Sequence, residues 1–244
     1  MQPFISIGPF TVQAQPFVIL AGFVLASIIA NKRAGRFGLN ADFVGNMVFY
    51  AALVGLAAAR LGYVLLNLSA YAREPLSAFA PSVSALSSFT GIPAALGFGV
   101  WYARRKRIFG WALADALAIP ALVFAAALAL GTWFDGSVFG TATPLPWAAN
   151  VWGEMRHPMQ VYEIVLTFAL ALALWRAKKP SGQAALLALA GYAFIRVFVD
   201  GFRADDVSLV LGLRATQLLF LALGIGALWV WAERRAKTQG GASL

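Results

Sequence analysis

Cysteine is absent from this chain of 244 residues, which excludes disulfides, thiolate metal sites and a protein-borne thiol nucleophile. Histidine is almost absent: His157 stands alone, so a multi-histidine metal site is excluded and neither a metal nor a cofactor is expected. Charge is scarce as well. Asp, Glu, Lys and Arg make up 12% of the residues, where an ordinary soluble domain carries about 25%. Hydrophobic residues take their place, at 61% of the chain and a mean hydropathy of +0.75. This composition specifies an all-α, polytopic membrane protein. Acidic residues number 10 against 19 basic ones, an excess that in a soluble protein would raise nucleic acid as a partner. Its placement along the chain gives it another cause, and no nucleic-acid partner is expected.

Seven hydrophobic stretches can be marked, at about 16–30, 43–66, 86–103, 111–131, 159–175, 183–201 and 209–232, several of them close to the roughly 20 residues that cross a bilayer. Basic clusters follow the first, third, fifth and seventh: Lys32, Arg33 and Arg36; Arg104, Arg105, Lys106 and Arg107; Arg176, Lys178 and Lys179; Arg234, Arg235 and Lys237. One side of the membrane thus receives 13 of the 19 basic residues, against four on the other (Arg73, Arg156, Arg203, Arg214) and two within spans (Arg60, Arg196). The positive-inside rule then predicts seven transmembrane helices with the amino terminus outside and the carboxyl terminus cytoplasmic. Pro16 interrupts the first stretch, and neither a basic segment nor an Ala-x-Ala site precedes it, so it is expected to be a retained span and not a cleaved signal. Internal repeats and low-complexity linkers are not evident, and residues 1–244 read as one transmembrane domain.

Two of the predicted outer loops are long. The first, about 67–85, is rich in Ser, Ala and Pro and reads as a partly helical surface segment with little chemistry. The second, about 132–158, holds Gly140, Trp147, Trp152, Glu154, Arg156 and His157; with Trp133, its tryptophans suit an interfacial belt.

Against this background, a few polar residues fall where lipid is expected. In GYAFIRVFVDGFR (191–203), Arg196, Asp200 and Arg203 are spaced i, i+4 and i+7 and would share one face of a helix. An ionisable group at that depth costs at least about 2.5–3.5 kcal/mol, so the triplet is either a functional site or a structural ion pair to a neighbouring helix. Arg60, in AARLGYVLLN, either joins such a site or snorkels to the outer interface. RHPMQVYE (156–163) opens the fifth stretch: Pro158 suits a first helical turn, and His157, Gln160 and Glu163 would stack on one side, with Glu163 about 7 Å below Pro158. Those residues either form an ordinary helix start or line a site. Three spans contribute polar groups at one depth, and a pocket with two or three arginines there suits a lipid phosphate, which guanidinium grips in a bidentate fork.

These segments resemble the prolipoprotein diacylglyceryl transferase family over nearly the whole chain, from GPF near the start through ARLGYVLLN, RHPMQVYE and GYAFIRVFVDGFR. The resemblance implies a multi-pass enzyme of the bacterial inner membrane. It would move diacylglyceryl from phosphatidylglycerol to the lipobox cysteine of a prelipoprotein, with that signal peptide and the anionic lipid as partners. It also implies Arg196, Asp200, His157 and Glu163 as catalytic candidates, and Arg60, Gln160, Tyr162, Arg203 and Gly140 as substrate-binding ones. The chain departs from the family pattern at Thr90, Ala129, Thr132, Ser137 and Gln15, and carries Asp200 where the family has Glu. Thr90 and Ala129 replace the family's candidates for a base and an essential arginine. The expectation is therefore retained phospholipid binding with slow transfer. The alternative is a catalytically silent member that binds phospholipid or serves as a subunit of a larger membrane complex.

Overall fold

The computed structural model describes residues 4–7, 10–72, 74–79, 85–176, 182–204, 209–210 and 212–240. Arg73, Lys178 and Lys179, counted above among the loop charges, lie outside them. An amino-terminal hairpin, β1 (Phe4–Ile7) and β2 (Phe10–Gln13), leads into α1 (Ala14–Arg36) and α2 (Ala41–Leu66). A short α3 (Leu68–Tyr71) and a 3-10 turn (Pro75–Phe79) precede α4 (Ser88–Arg105) and α5 (Trp111–Asp135). The hairpin β3 (Ala149–Val151) and β4 (Glu154–Arg156) connects to α6 (Met159–Leu174) and α7 (Gln183–Asp200). A last hairpin, β5 (Leu209–Val210) and β6 (Leu213–Arg214), opens α8 (Ala215–Gly240).

The described residues are mostly helical, as an all-α membrane protein should be, and three short two-stranded antiparallel hairpins lie among them between the helices. Among the described residues five helices (α1, α2, α5, α7 and α8) are long and apolar enough to cross a membrane; α4, at 18 residues as long as α7, is less apolar, and α6 is shorter, at 16 residues. Two boundaries also shift. The seventh hydrophobic stretch begins as a hairpin pairing Leu209 with Arg214, and its helix starts only at Ala215. The sixth ends at Asp200, so Arg203 does not share the helical face of Arg196 but sits two residues past the Gly201 cap.

Packing follows the inverted logic of a protein in lipid. The buried apolar side chains are mostly alanines, among them Ala14, Ala30 and Ala34 on α1, Ala116 on α5 and Ala193 on α7, whereas Leu20, Leu61, Leu65, Leu96 and Phe198 face outward. Apolar side chains gain little by leaving hydrocarbon, so small residues that let backbones approach closely do the packing. α1 lies along α5, α2 along α4, and α8 along α7, while α5, α6 and α7 contact one another. On the α2–α4 seam, a Cβ added at Gly91 would stand 2.7 Å from Ala59 Cβ and 2.9 Å from the Gly55 carbonyl oxygen.

α7 is fixed at its start by a residue of α5. Asp115, wholly buried, accepts from the backbone N–H groups of Gly182 (2.7 Å) and Ala185 (2.8 Å). These are donors that the first turn of a helix cannot satisfy internally. Gly182 has φ +79 beneath the Trp111 ring, a conformation and a proximity that only glycine tolerates. Nearby, buried Arg33 donates from Nη1 to the Trp175 carbonyl at 3.3 Å and lies over the Phe37 ring.

Candidate functional site

α6 and α7 meet along the face that carries Glu163 on one helix and Tyr192, Arg196 and Asp200 on the other. The last three are spaced i, i+4 and i+8, so α7 presents them as one stripe. Arg196 donates from Nη1 to Glu163 Oε2 at 2.7 Å and from Nη2 to Asp200 Oδ1 at 2.8 Å. Tyr192 donates its hydroxyl to the other oxygen of Glu163 at 2.9 Å, and Thr216 of α8 reaches Asp200 Oδ2 at 3.3 Å. The guanidinium lies over the Phe220 ring, 5.7 Å from its centroid. The carboxylates are sealed, with side chains 5% and 0% exposed, while Arg196 retains 19%. One cation between two carboxylates leaves the cluster formally one negative charge in excess. Of the five N–H donors of Arg196, those on Nε and the second hydrogen of each Nη remain beyond the two ion pairs.

Around this centre the loop before α6 and the loop after α7 are knitted together. Gly140 forms a bridge with Arg203, Thr141 N–H donates to Phe202 O at 2.7 Å, and Ala204 N–H donates to Phe139 O at 3.0 Å. His157 N–H in turn donates to Thr141 O at 3.0 Å. A Cβ at Gly140 would strike the His157 carbonyl oxygen, which explains why glycine occupies that position. Gln160, buried, donates from Nε2 to Val138 O at 2.6 Å. The Arg203 carbonyl accepts from Arg214 Nη2 at 2.8 Å, and Gln217 spans to Arg214 N–H and Val197 O.

Several expected partners separate. His157 precedes α6 and does not stack with Gln160 and Glu163; its ring faces Tyr162 and Phe202. Arg60 does not reach the Arg196 cluster in the bonds described. Its Nε, Nη1 and Nη2 donate to the carbonyls of Ala78 (2.8 Å), Ala85 (3.1 Å) and Ser77 (3.0 Å), holding the first long loop against α2. That loop, expected to carry little chemistry, thus consumes one of the three candidate cations. The sequence reading missed Tyr192, Thr216, Arg214 and Gln217. For Tyr192 a signal existed, since it lies four residues before Arg196 on the same face.

At the departure positions, the Thr90 hydroxyl lies 2.9 Å from Ala58 O and 3.1 Å from Ser87 O and packs on Gly62. Ala129 is buried, Thr132 donates to its carbonyl at 2.8 Å, Ser137 is exposed and Gln15 packs near Gly131. Beside the centre, a groove of about 390 Å³ is walled by Val165 and Leu166 of α6 and by Phe198 and Phe202, with His157, Tyr162 and Trp147 at its polar edge. There Trp147 Nε1 donates to the Tyr162 hydroxyl at 2.9 Å, which lies 3.2 Å from His157 Nδ1. Among the described residues no cluster of three or more His, Asp and Glu side chains could hold a metal ion.

Fold and site define a multi-pass helical membrane protein with a sealed arginine–carboxylate centre between two helices, beside an apolar groove. The family model described as prolipoprotein diacylglyceryl transferase matches residues 2–233, and the chain belongs to that family. It is similar to the phosphatidylglycerol–prolipoprotein diacylglyceryl transferase of Geobacter sulfurreducens, at 33% identity over 84% of this chain and 83% of that one. It is also similar to the enzymes of that name from Vibrio vulnificus (31%, 97% and 93%) and Clostridioides difficile (32%, 86% and 86%).

Proposed function

We propose that this chain transfers a diacylglyceryl group from phosphatidylglycerol to the lipobox cysteine of prelipoproteins. The observation that carries the reading is the Arg196–Glu163–Asp200 centre, built from the very segments that carry the family resemblance. In that reaction the cysteine sulfur forms a bond to the glyceryl carbon, the carbon–oxygen bond to phosphate breaks, and glycerol phosphate leaves with the electron pair. The thiol proton must go to a base. Arg196, oriented by its two carboxylates, has donors left for the departing phosphate, where negative charge grows. Glu163 and His157 are the available proton acceptors, although Glu163 already receives two hydrogen bonds and His157 Nδ1 lies against the Tyr162 hydroxyl. The setting proposed is the bacterial plasma membrane, with seven spans and the amino terminus outside, as the 13-to-four distribution of basic residues favours. Incubation of the purified protein with labelled phosphatidylglycerol and a lipobox peptide tests this. A thioether-linked product is expected at a low rate, and its absence would overturn the transferase reading.

One observation favours a second reading, that of a silent, lipid-holding member. Thr90, at the family's base position, spends its hydroxyl on helix carbonyls, and Ala129 offers only a methyl group at the arginine position. Under it, complementation of cells depleted of their own transferase fails while purified protein still retains phosphatidylglycerol. Arg196→Ala then lowers that retention.

A further inference from the structure

We propose that the far end of the bundle, where α1 closes against α6, binds one phosphate-class oxyanion through the Nε–H and Nη2–H groups of Arg33. Arg33 lies in the last turn of α1 with 1% of its surface exposed, so bulk water does not satisfy its five N–H donors. Nη1 reaches the Trp175 carbonyl at 3.3 Å, at the close of α6, and the guanidinium lies over the Phe37 ring. Nε and Nη2 are buried and find no hydrogen-bond partner. Among the described residues no carboxylate stands within ion-pair distance of Arg33. Asp115, whose charge reaches it, gives both oxygens to the N–H groups of Gly182 and Ala185 at the start of α7. A buried cation with unpaired donors is costly, and an anionic acceptor on those two donors removes the cost.

Which two donors are unpaired selects the ligand. Nε–H and one Nη2–H project side by side from a single edge of the planar guanidinium, the fork that meets two oxygens of one phosphate or carboxylate. Arg36 follows at i+3 on the same helical face, exposed, and draws negative charge to this edge. A phosphate that fills the fork has oxygens left for Arg36, whereas a carboxylate has spent both of its own. The sealing of Arg33 favours a compact group. Free phosphate and the phosphate of a lipid headgroup present the same oxygens, and the experiment separates them. The site is remote from the Arg196 centre: Trp175 lies 12 residues beyond Glu163 on α6, about 18 Å along the helix axis. It therefore stands independently of the transfer reaction.

The experiment uses the full chain, purified in detergent without phosphate or sulfate, with sodium phosphate or sodium chloride then added at equal ionic strength. Phosphate should raise the unfolding temperature by several degrees and slow amide hydrogen exchange about threefold or more in peptides covering 34–39, because a ligand of the folded state suppresses its opening. Arg33→Lys, which keeps the charge and removes the fork, should abolish both effects. Arg36→Gln should weaken phosphate affinity severalfold, and it serves if Arg33→Lys does not fold. Native mass spectrometry of the chain released from phosphatidylglycerol nanodiscs identifies the source: an inorganic phosphate adduct means the free ion, and a lipid adduct means a headgroup. Either adduct should be lost in Arg33→Lys. Equal stabilisation by chloride would overturn the oxyanion. No effect of phosphate together with no adduct sensitive to Arg33→Lys would mean that the fork holds water only, and would overturn the proposal. So would phosphate protection that persists in both variants, or that falls only around Arg196.

Discussion

Arg196 is held by two carboxylates that have no other cation in the bonds described, so removing it leaves two buried charges facing each other. Arg196→Ala should therefore cost about 3–5 kcal/mol, the range for a broken buried ion pair. Thermal unfolding in detergent checks this, and adding Glu163→Gln and Asp200→Asn to the arginine variant should restore part of the loss. If Arg196→Ala unfolds at the parent temperature, the cluster is not a stabilising unit. Gly140→Ala drives a methyl group into the His157 carbonyl and should part the loop before α6 from the loop after α7, lowering stability by about 1–3 kcal/mol. Charges in an apolar segment announce themselves, which is why Arg196, Asp200 and Glu163 could be named from sequence. Hydroxyl groups such as those of Tyr192 and Thr216 create no anomaly of composition. Arg60 was legible as an oddity and illegible as to partner, because its acceptors belong to a loop whose return path carries no periodic signal.

Helix positions were readable to within about four residues for α2, α4, α5, α6 and α7, whereas α1 and α8 run well past the hydrophobic stretches that announced them. α7 was overrun because VFVDGFR continues the helical spacing past Gly201, where the chain instead turns to bridge with Gly140. The hairpins escaped notice for a different reason: strands of two to four residues are too short to show an alternating pattern. The α2–α4 seam makes a prediction of its own. Gly91→Leu would overfill contacts already at 2.7 and 2.9 Å for a bare Cβ, costing about 1–3 kcal/mol or more, whereas Gly97→Leu on the same helix meets nothing and should be near neutral. Comparing their unfolding temperatures decides whether this seam carries the packing. Asp115→Ala should cost about 1–2 kcal/mol by uncapping α7, and Asp115→Asn, which keeps an acceptor, should cost less.

For the molecule as a whole, the asymmetry of basic residues predicts which side each end occupies. Reporter fusions at residues 34, 106, 178 and 238 should all report cytoplasm, and one periplasmic result among them would require a different path through the membrane. The ends of the bundle also differ in how firmly they are tied. α7 is gripped at its start by Asp115 and near its finish by Thr216 and Gln217, while α4 packs mainly on α2 and α8 mainly on α7. A bilayer that thickens or thins must be met by tilt or sliding somewhere in the protein. A helix fastened at both ends cannot supply it. The adjustment falls on the peripheral helices, and the alignment of Arg196 with Glu163 should hold across lipids of different chain length.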